Sequence, residues 1–594
     1  MLARGGSILK RGAAPLRLLA VSAVVVGVVI GLARAGTRRH DVDDSEYLAL
    51  AADPNFDCAG LITTSSILAS GTLVANNYVL TAAHVGNSGG DMNFALDSGT
   101  YQRAWKQTHP NYDGNLAEGW DVSLVRLTAL VLDEATATLN ADANEIGQTG
   151  VITGFGKTGT GLTGATEPSG TKRAGENAFE VDGTYFGDSD RLMLADFDNP
   201  LKRKDSWFGG RTPFKLEYLA APGDSGGGVF IWTGDGWKLA GVTSFITWRD
   251  ADGDSDYGDA MGAVRVSQLY DWIAETMTQS YTMYWQGGAG GYNVAENWET
   301  TFDGSAVGCV PGACDVMAFG TAGTHSVTWP EADLANARLI VSAGDVTLDL
   351  SGRIHTLTSE GTAEPSLLVG DAAGTQSLTI TNGTLLAQDA FIGSVAGSDG
   401  TLLISDLGAY SGVGSLYIGG TDSGAGGTGT VSIAAGGSVS VAGTITVWSS
   451  GTLNLDSGTL GAADANLHVP VENDGLLHVT AGSHAVGSVA PVDADVLAGT
   501  TQIDANASLS VSSIVQDTVT IGANATLTIC GSYDTAGAMD SLSVGGDELQ
   551  LDVELLSSQS GVIGAADGQA AVPEPASAVW LLLGVLGLVR RRRR

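Results

Sequence analysis

Three short stretches of this chain hold side chains that could act together on an acyl bond. In Pro222-Gly223-Asp224-Ser225-Gly226-Gly227-Gly228 a serine stands among glycines, where the backbone can bend sharply and the N–H groups of Gly223 and Ser225 could point at one oxygen. Thr81-Ala82-Ala83-His84 follows an apolar run, and its alanines permit close packing beside an imidazole. Asp121, within Trp120-Asp121-Val122-Ser123-Leu124, is a carboxylate entering an apolar strand. Its charge is costly there unless hydrogen bonds are offered, and an imidazole N–H is one suitable donor. Acyl hydrolysis at neutral pH needs a nucleophile, a base, a group that orients the base, and donors for the oxyanion; these stretches contain one candidate for each. Singly, each has a plainer reading, as a turn, a structural histidine or a strand cap. Their order along the chain, His84, Asp121, Ser225, is more informative, because triads on unrelated folds occur in different orders.

The elements that must position these groups read as strands. Gly71-Thr72-Leu73-Val74, Tyr78-Val79-Leu80 and Asp121 to Leu127 are short apolar runs between turn residues. Val264 to Ile273 closes this region as a strand followed by a helix, with Leu269, Trp272 and Ile273 at helical spacing. Beyond about Tyr281 the texture changes. Trp285 and Trp298 flank a Gly-rich stretch, and short alternating runs recur to about Val562. Gly-Thr precedes an apolar alternation at Gly383, Gly400, Gly429 and Gly451, spaced by 17, 29 and 22 residues. Imperfect strand-turn repeats of this kind predict a β-solenoid or stacked β-sheet region, with β-sandwich modules as the alternative.

The region from about His40 to Met277 resembles the trypsin-like serine peptidases. Thr81-Ala82-Ala83-His84, Asp121-Val122-Ser123-Leu124-Val125 and Gly223-Asp224-Ser225-Gly226-Gly227 are similar to that family's three catalytic motifs and stand in its order. Gly154-Phe155-Gly156, Gly241-Val242-Thr243-Ser244-Phe245 and Arg265-Val266-Ser267 through Trp272-Ile273 add to the resemblance. It implies two six-stranded β-barrels with the site between them, Ser225 as nucleophile, His84 as proton shuttle, Asp121 as its orienting group, and an oxyanion hole from Gly223 and Ser225. In the family, the carboxylate matching Asp224 is held by a freed N-terminal amine. Here cleavage at Arg38 or Arg39 could supply one, or an arginine could pair with Asp224 directly.

The chain departs from the family's pattern at the specificity pocket. Leu219 stands six residues before the serine, where trypsins place a carboxylate, and Ala220 and Ala221 follow. Ile246 stands where glycine usually opens the wall in the family, and Met261 lies near another such position. An apolar, non-tryptic pocket is expected. The cysteines that flank the histidine and the nucleophile in the family are replaced by Val85 and Ala221.

Composition narrows the class further. Gly is 84 of 594 residues, charged residues are 16%, and 65 Asp+Glu against 29 Lys+Arg give a net charge of -36. Such a surface repels phosphate, which excludes a nucleic-acid binder. Cys309 and Cys314 bracket a Val-Pro-Gly-Ala turn and could form a small disulfide; Cys58 and Cys530 have no visible partner. Asp250, Asp252, Asp254 and Asp256 alternate around Gly253, a spacing of hard oxygen ligands that suits a structural Ca²⁺, although acidic loops are often only solvated. No cofactor is required by the chemistry.

Both ends carry export information. Arg4, Lys10, Arg11 and Arg17 precede an apolar run from Leu18 to Ala33 that ends in Ala33-Arg34-Ala35, an A-x-A cleavage signature; an uncleaved anchor is the alternative. At the other end Val572-Pro573-Glu574-Pro575 introduces Ala576 to Val589 and then Arg590 to Arg594. As a helix that apolar stretch is roughly 21 Å long, against a hydrocarbon core of about 30 Å. This tail resembles the PEP-CTERM sorting signal, which implies an exosortase-type processing enzyme and delivery to the cell surface or matrix of a Gram-negative-type bacterium. A simple tail anchor is the alternative.

The reading is therefore an all-β chain with short hydrophobic helices at its termini. Its expected parts are a signal peptide (1–35), a chymotrypsin-like double β-barrel (36–278), a Gly-rich β-repeat stalk (279–571) and a sorting or anchor segment (572–594). Its expected partners are protein or peptide substrates, signal peptidase and the exosortase-type enzyme, with membrane contact only through the terminal segments. The rival class is an adhesin or matrix component whose peptidase-like domain is catalytically idle; an esterase is a lesser alternative.

Overall fold

The fold is known from a computed structural model that describes residues 36–249, 253–359, 364–462, 469–493, 496, 498–529, 539–544 and 551–553. The segments expected to be a leader (1–35) and a sorting signal (572–594), and Cys530, lie outside the described residues. Among those described, no helix is long and apolar enough to cross a membrane.

Apolar alternation in the first third closes into a barrel. Six strands run in the order Ala59–Thr63, Leu68–Ala75, Tyr78–Thr81, Ser123–Leu127, Gly99–Thr108 and Asn93–Leu96. Ile62, Leu73, Val79, Leu80, Phe94 and Leu124 fill its interior and are fully or almost fully buried. The second unit is a half-barrel of seven antiparallel strands, Arg173–Phe179, Gln148–Gly154, Gly228–Trp232, Trp237–Thr247, Ala260–Arg265, Leu192–Asp196 and Val181–Asp182. With the closed barrel it makes the double-barrel arrangement the resemblance implies, its seven strands in an open order where a closed six was expected. A separate four-stranded sheet packs beside it, in which Gly36–Arg38 lies between Thr158–Thr160 and Tyr218–Leu219. The helix Tyr270–Met277 follows Ala260–Arg265, as the spacing of Leu269, Trp272 and Ile273 predicts.

From Thr282 the chain winds as a β-solenoid with two long, mainly parallel sheets of 14 and 15 strands, the first of which begins with antiparallel pairings among Thr282–Trp285, Trp298–Phe302 and Ser305–Val307. Identical faces stack in register. Met283, Met317, Leu339, Leu367, Ala390, Leu416, Ile445, Val471 and Val489 form one buried column. Each rung covers its apolar face only against its neighbours, so the core is a continuous rod. The Gly-Thr motif marks rungs: Gly400, Gly429 and Gly451 are successive partners in one ladder, whereas Gly383 lies in a different ladder and pairs with Arg353 and Gly408. A Cβ at Gly400 would lie 2.4 Å from the Val369 carbonyl oxygen and one at Gly451 would lie 2.4 Å from that of Ile418, so the corner admits no side chain.

The solenoid's first rungs are fused to the closed barrel. Arg126, buried on Ser123–Leu127, donates through Nη2 to Asp315 Oδ2 at 2.5 Å and to the Val310 carbonyl at 3.2 Å. Asp315 also accepts from the Gly312 N–H at 2.6 Å and the Tyr281 N–H at 3.0 Å. Trp105 of the barrel stacks on Phe302 with centroids 4.8 Å apart, and Asn293 bonds both backbone groups of Leu130. The disulfide expected between Cys309 and Cys314 is not formed; both thiols are free. The intervening turn closes around the Arg126–Asp315 pair, and Cys309 Sγ is directed into the junction, 3.4 Å from the Leu127 carbonyl oxygen.

Removing one partner of a buried ion pair strands the other charge. Asp315→Ala is expected to lower the unfolding free energy of the full chain by about 3–5 kcal/mol, measured by urea denaturation against the parent. A loss below about 1 kcal/mol would match a solvent-screened surface pair instead.

Candidate active site

The strand Tyr78–Thr81 ends at Ala82, and a single helical turn, Ala83–Gly86, then presents His84. Ala82 and Ala83 are completely buried, so only small side chains fit behind the imidazole. Asp121 precedes the strand Ser123–Leu127, which pairs with Tyr78–Thr81 and brings the carboxylate under the histidine. His84 Nδ1 lies 2.8 Å from Asp121 Oδ2, and the His84 backbone N–H donates to Asp121 Oδ1 at 2.9 Å. Asp121 is fully buried while the His84 side chain is 35% exposed, so the pair has one closed side and one open side. The inner nitrogen is fixed by the carboxylate, and the outer nitrogen has no hydrogen bond among the described residues.

The turn carrying Ser225 is pinned from several directions. The Ser225 carbonyl accepts from the Ser70 N–H at 3.0 Å, and the Gly226 N–H donates to the Thr243 carbonyl at 2.7 Å. Gly226 has φ +84°, and a Cβ there would lie 2.0 Å from Thr81 Oγ1 and 3.0 Å from the Ala82 nitrogen. The serine turn is thereby pressed against the residues that lead into His84. No hydrogen bond joins Ser225 Oγ to His84, and the serine is half-buried. Within the turn, the N–H groups of Asp224, Gly226 and Gly227 donate to the carbonyls of Ala221, Thr243 and Asp224. Those of Gly223 and Ser225 have no acceptor among the described residues. They are the two donors expected to face an oxyanion.

Two further side chains hold this frame: Ser70, which lies in none of the quoted motifs, and Ser244, which lies in Gly241-Val242-Thr243-Ser244-Phe245 but has no assigned role there. Ser244 Oγ donates to Asp121 Oδ2 at 2.6 Å, adding a third donor to that carboxylate. Ser70 Oγ donates to the Gly223 carbonyl at 3.0 Å and accepts from the Phe155 N–H at 3.0 Å, tying the turn to the closed barrel. Within its strand each is one of several small or polar residues, so its type alone assigns no role. A polar cavity of about 410 Å³ is lined by Glu118, Trp120, Asp188 and Arg191 among others, with the Arg191 guanidinium 3.9 Å above the Trp120 ring, and none of His84, Asp121 and Ser225 lines it.

Leu219, Ala220 and Met261 fall in one buried apolar cluster against which Ile246 packs, and Ile246 and Met261 are cross-strand partners. The four residues expected to form a specificity pocket are thus brought together. The acidic loop is placed only in part, because Asp250 and Asp252 lie outside the described residues. Asp254 and Asp256 each bring a carboxylate oxygen within 4.8 Å of one on Asp259, a residue the spacing did not single out. Asp259 already accepts from the N–H groups of Arg249 and Asp256, while Asp254 Oδ1 is buried without a partner.

Asp224 is fully buried. Its Oδ1 accepts from the Gly156 N–H at 2.7 Å and its Oδ2 from the Ala221 N–H at 2.8 Å, and the Gly36 N–H is a third backbone donor. Neither Arg38 nor Arg39 reaches it. Arg38 pairs with Asp44 at 2.9 Å, Arg39 with Asp41 at 2.7 Å, and Arg173 holds Asp44 in two bonds. Burial pushes the Asp224 carboxyl up to about 7, opposed by its backbone donors and by Arg173 through space.

Residues 51–273 match the family model described as Trypsin, and this stretch is a trypsin-family serine peptidase domain of the chymotrypsin fold. Among solved structures the chain is similar to neuropsin, a serine protease expressed in the limbic system of mouse brain, at 21% identity over 38% of this chain and 97% of that one, with a TM-score of 0.30. No curated protein matches the chain.

A carboxyl that keeps its proton to higher pH in the folded state than when exposed, where its pKa is about 3.9, makes folding take up protons. The stability contributed by Asp224 is complete below about pH 4 and is lost as pH rises to about 7. In the full chain, Asp224→Asn is expected to flatten this slope in urea denaturation between about pH 4 and about pH 8. Asp198, also pushed up to about 7 by burial and by the charges of Asp196 and Glu180, accounts for a separate share.

Proposed function

We propose that this chain is an exported serine endopeptidase that cleaves peptide bonds through an acyl-enzyme. The observation that carries the reading is the buried Asp121 carboxylate bonded to His84 Nδ1 at 2.8 Å beside a serine turn with two unclaimed N–H groups. Asp121 keeps the Nδ1 proton in place, leaving the outer nitrogen of His84 as the base. That nitrogen takes the proton of Ser225 Oγ as the oxygen attacks the substrate carbonyl, then returns it to the leaving amine. The N–H groups of Gly223 and Ser225 stabilise the oxyanion, and water releases the acyl group in a second round of the same chemistry.

Leu219, Ala220, Ile246 and Met261 favour small or medium aliphatic side chains before the cleaved bond, because a buried arginine or lysine would find no carboxylate among them. The cluster of Asp254, Asp256 and Asp259 suits a structural Ca²⁺, being a set of hard oxygen donors at one place. The solenoid serves as a stalk. The leader directs export, and the PEP-CTERM-like tail directs processing and delivery to the surface or matrix of a Gram-negative-type bacterium.

Ser225→Ala is expected to lower protein digestion by the full chain by about 10⁶-fold and to abolish labelling by a serine-reactive phosphonate. Digestion by Ser225→Ala at the parent's rate would defeat the proposal. A folded parent that neither labels nor digests would support the idle, adhesin-like reading. A peptide library should show aliphatic preference, and a strong preference for Arg or Lys would refute the pocket assignment. For the cation, Ca²⁺ should raise the parent's thermal midpoint but not that of Asp254→Asn; equal response in both would refute that site.

A further inference from the structure

The aromatic side chain next to Asp121 is gripped on both faces. Trp120 precedes Asp121, and neither residue belongs to a strand; the ladder begins at Ser123. On one face of the indole lies the Arg191 guanidinium, 3.9 Å from the ring centroid. On the other lies the His109 ring, with centroids 4.5 Å apart and planes inclined by 13°. Trp272, on the helix Tyr270–Met277, meets His109 in turn, edge-on with centroids 4.9 Å apart.

His109 also straddles Asp121 through the backbone. Its N–H donates to the Val122 carbonyl at 3.0 Å, while the Val122 N–H donates to the Trp120 carbonyl at 2.7 Å and closes a tight turn around Asp121. His109 Nδ1 accepts from the Asn111 N–H at 3.2 Å. That bond requires a lone pair, so the stacked ring is neutral with its hydrogen on Nε2. Burial, with the Arg191 charge added, holds the His109 pKa down and favours that form.

Arg191 ties the stack to the other half of the domain. Its carbonyl accepts from the Arg265 N–H at 2.8 Å, and Arg265 is registered with Gly241. Two residues further on, the Thr243 carbonyl holds the Gly226 N–H of the serine turn. Gly119 permits the close approach: it has φ +69°, and a Cβ there would lie 2.6 Å from Arg191 Cβ. A guanidinium is drawn to the electron-rich face of an indole, and offset near-parallel rings attract as well. Such a stack is ordinary packing where it fills a core. Here only His109 is buried, Trp120, Arg191 and Trp272 are half-buried, and the stack adjoins the carboxylate that orients the base.

We propose that Arg191, Trp120 and His109 are positioning residues of the triad, their stack locking Asp121, and through it the His84 ring, in register with the unit that carries Ser225. The closed barrel supplies His84 and Asp121, and the half-barrel supplies the serine turn. The line of attack therefore depends on how the two are clamped. A misplacement of about 1 Å in such a constellation costs about a hundredfold in rate.

The inference rests on the serine-peptidase reading, and the test separates the two. It follows labelling of the full chain by an aliphatic diphenyl phosphonate, read as a maximal rate and a half-saturating concentration. Trp120→Leu removes the shared face and should lower the maximal rate by about tenfold to a hundredfold. The half-saturating concentration and the final labelled fraction should stay at the parent's values. Trp120→Phe keeps a ring between Arg191 and His109 and should restore most of the rate. If Trp120→Leu does not fold, Arg191→Met replaces it, keeping an unbranched side chain without the cation, and the same loss is expected. Variants with the parent's maximal rate would overturn the proposal. So would a raised half-saturating concentration at an unchanged maximal rate, which marks Trp120 and Arg191 as substrate contacts in the cavity they line. A reduced final fraction at an unchanged rate marks partial unfolding and overturns it too. A parent that never labels sinks the peptidase reading and the clamp with it, whereas a labelling parent with indifferent variants sinks the clamp alone.

Discussion

A carboxylate with no access to water organises the peptidase domain. Asp224 occupies space that side chains at residues 154 and 156 would fill, which is why both are glycine: a Cβ at Gly154 would lie 2.1 Å from Asp224 Oδ1 and one at Gly156 would lie 2.6 Å from the Asp224 nitrogen. Its two oxygens draw in backbone donors from three separate segments, at Gly36, Gly156 and Ala221. An ionised group in such a place is tolerated only where hydrogen bonds or an opposite charge compensate the lost hydration. The bend of the neighbouring serine turn, with Gly223 at φ +105° and Gly226 at φ +84°, follows from meeting that requirement within a few residues.

Asp121 presents the same requirement in a second place and meets it with different donors. Three bonds converge on it, from the His84 backbone, the His84 ring and the Ser244 hydroxyl. The imidazole is oriented by the demand of a buried charge for partners. Orientation of the base and stability of the fold are therefore one interaction seen from two sides.

How much of this was legible in the sequence depends on how local the chemistry is. His84, Asp121 and Ser225 sit in stretches whose residue types constrain each other over a few positions, and the order of those stretches discriminates among known triad arrangements. The strand-then-helix close at Ala260–Met277 was equally local. Gly36 is marked only as the residue after the Ala33-Arg34-Ala35 signature, and its approach to Asp224, far along the chain, leaves no local trace. Ser70 and Ser244 look like ordinary strand residues until the tertiary contact is known. The arginines pointed the wrong way: their charge drew attention to Asp224, yet nearby Asp41 and Asp44 satisfy them. In the repeat region the motif spacing hid the regularity, since loops of unequal length separate rungs that are themselves in register.

The junction between barrel and solenoid has a consequence for what counts as a unit of this molecule. Trp105 and Leu130, on the peptidase side, belong to the same apolar cluster that runs the length of the solenoid, and Arg126 is neutralised only by a residue beyond the apparent boundary. A fragment ending after Met277 would expose Trp105 and Leu130 and leave the Arg126 guanidinium without its carboxylate. The change in composition near Tyr281 marks where one style of chain gives way to another; thermodynamically the seam lies some thirty residues later, past Asp315. Any ancestor that gained or shed the stalk had to rewrite that face of the barrel at the same time.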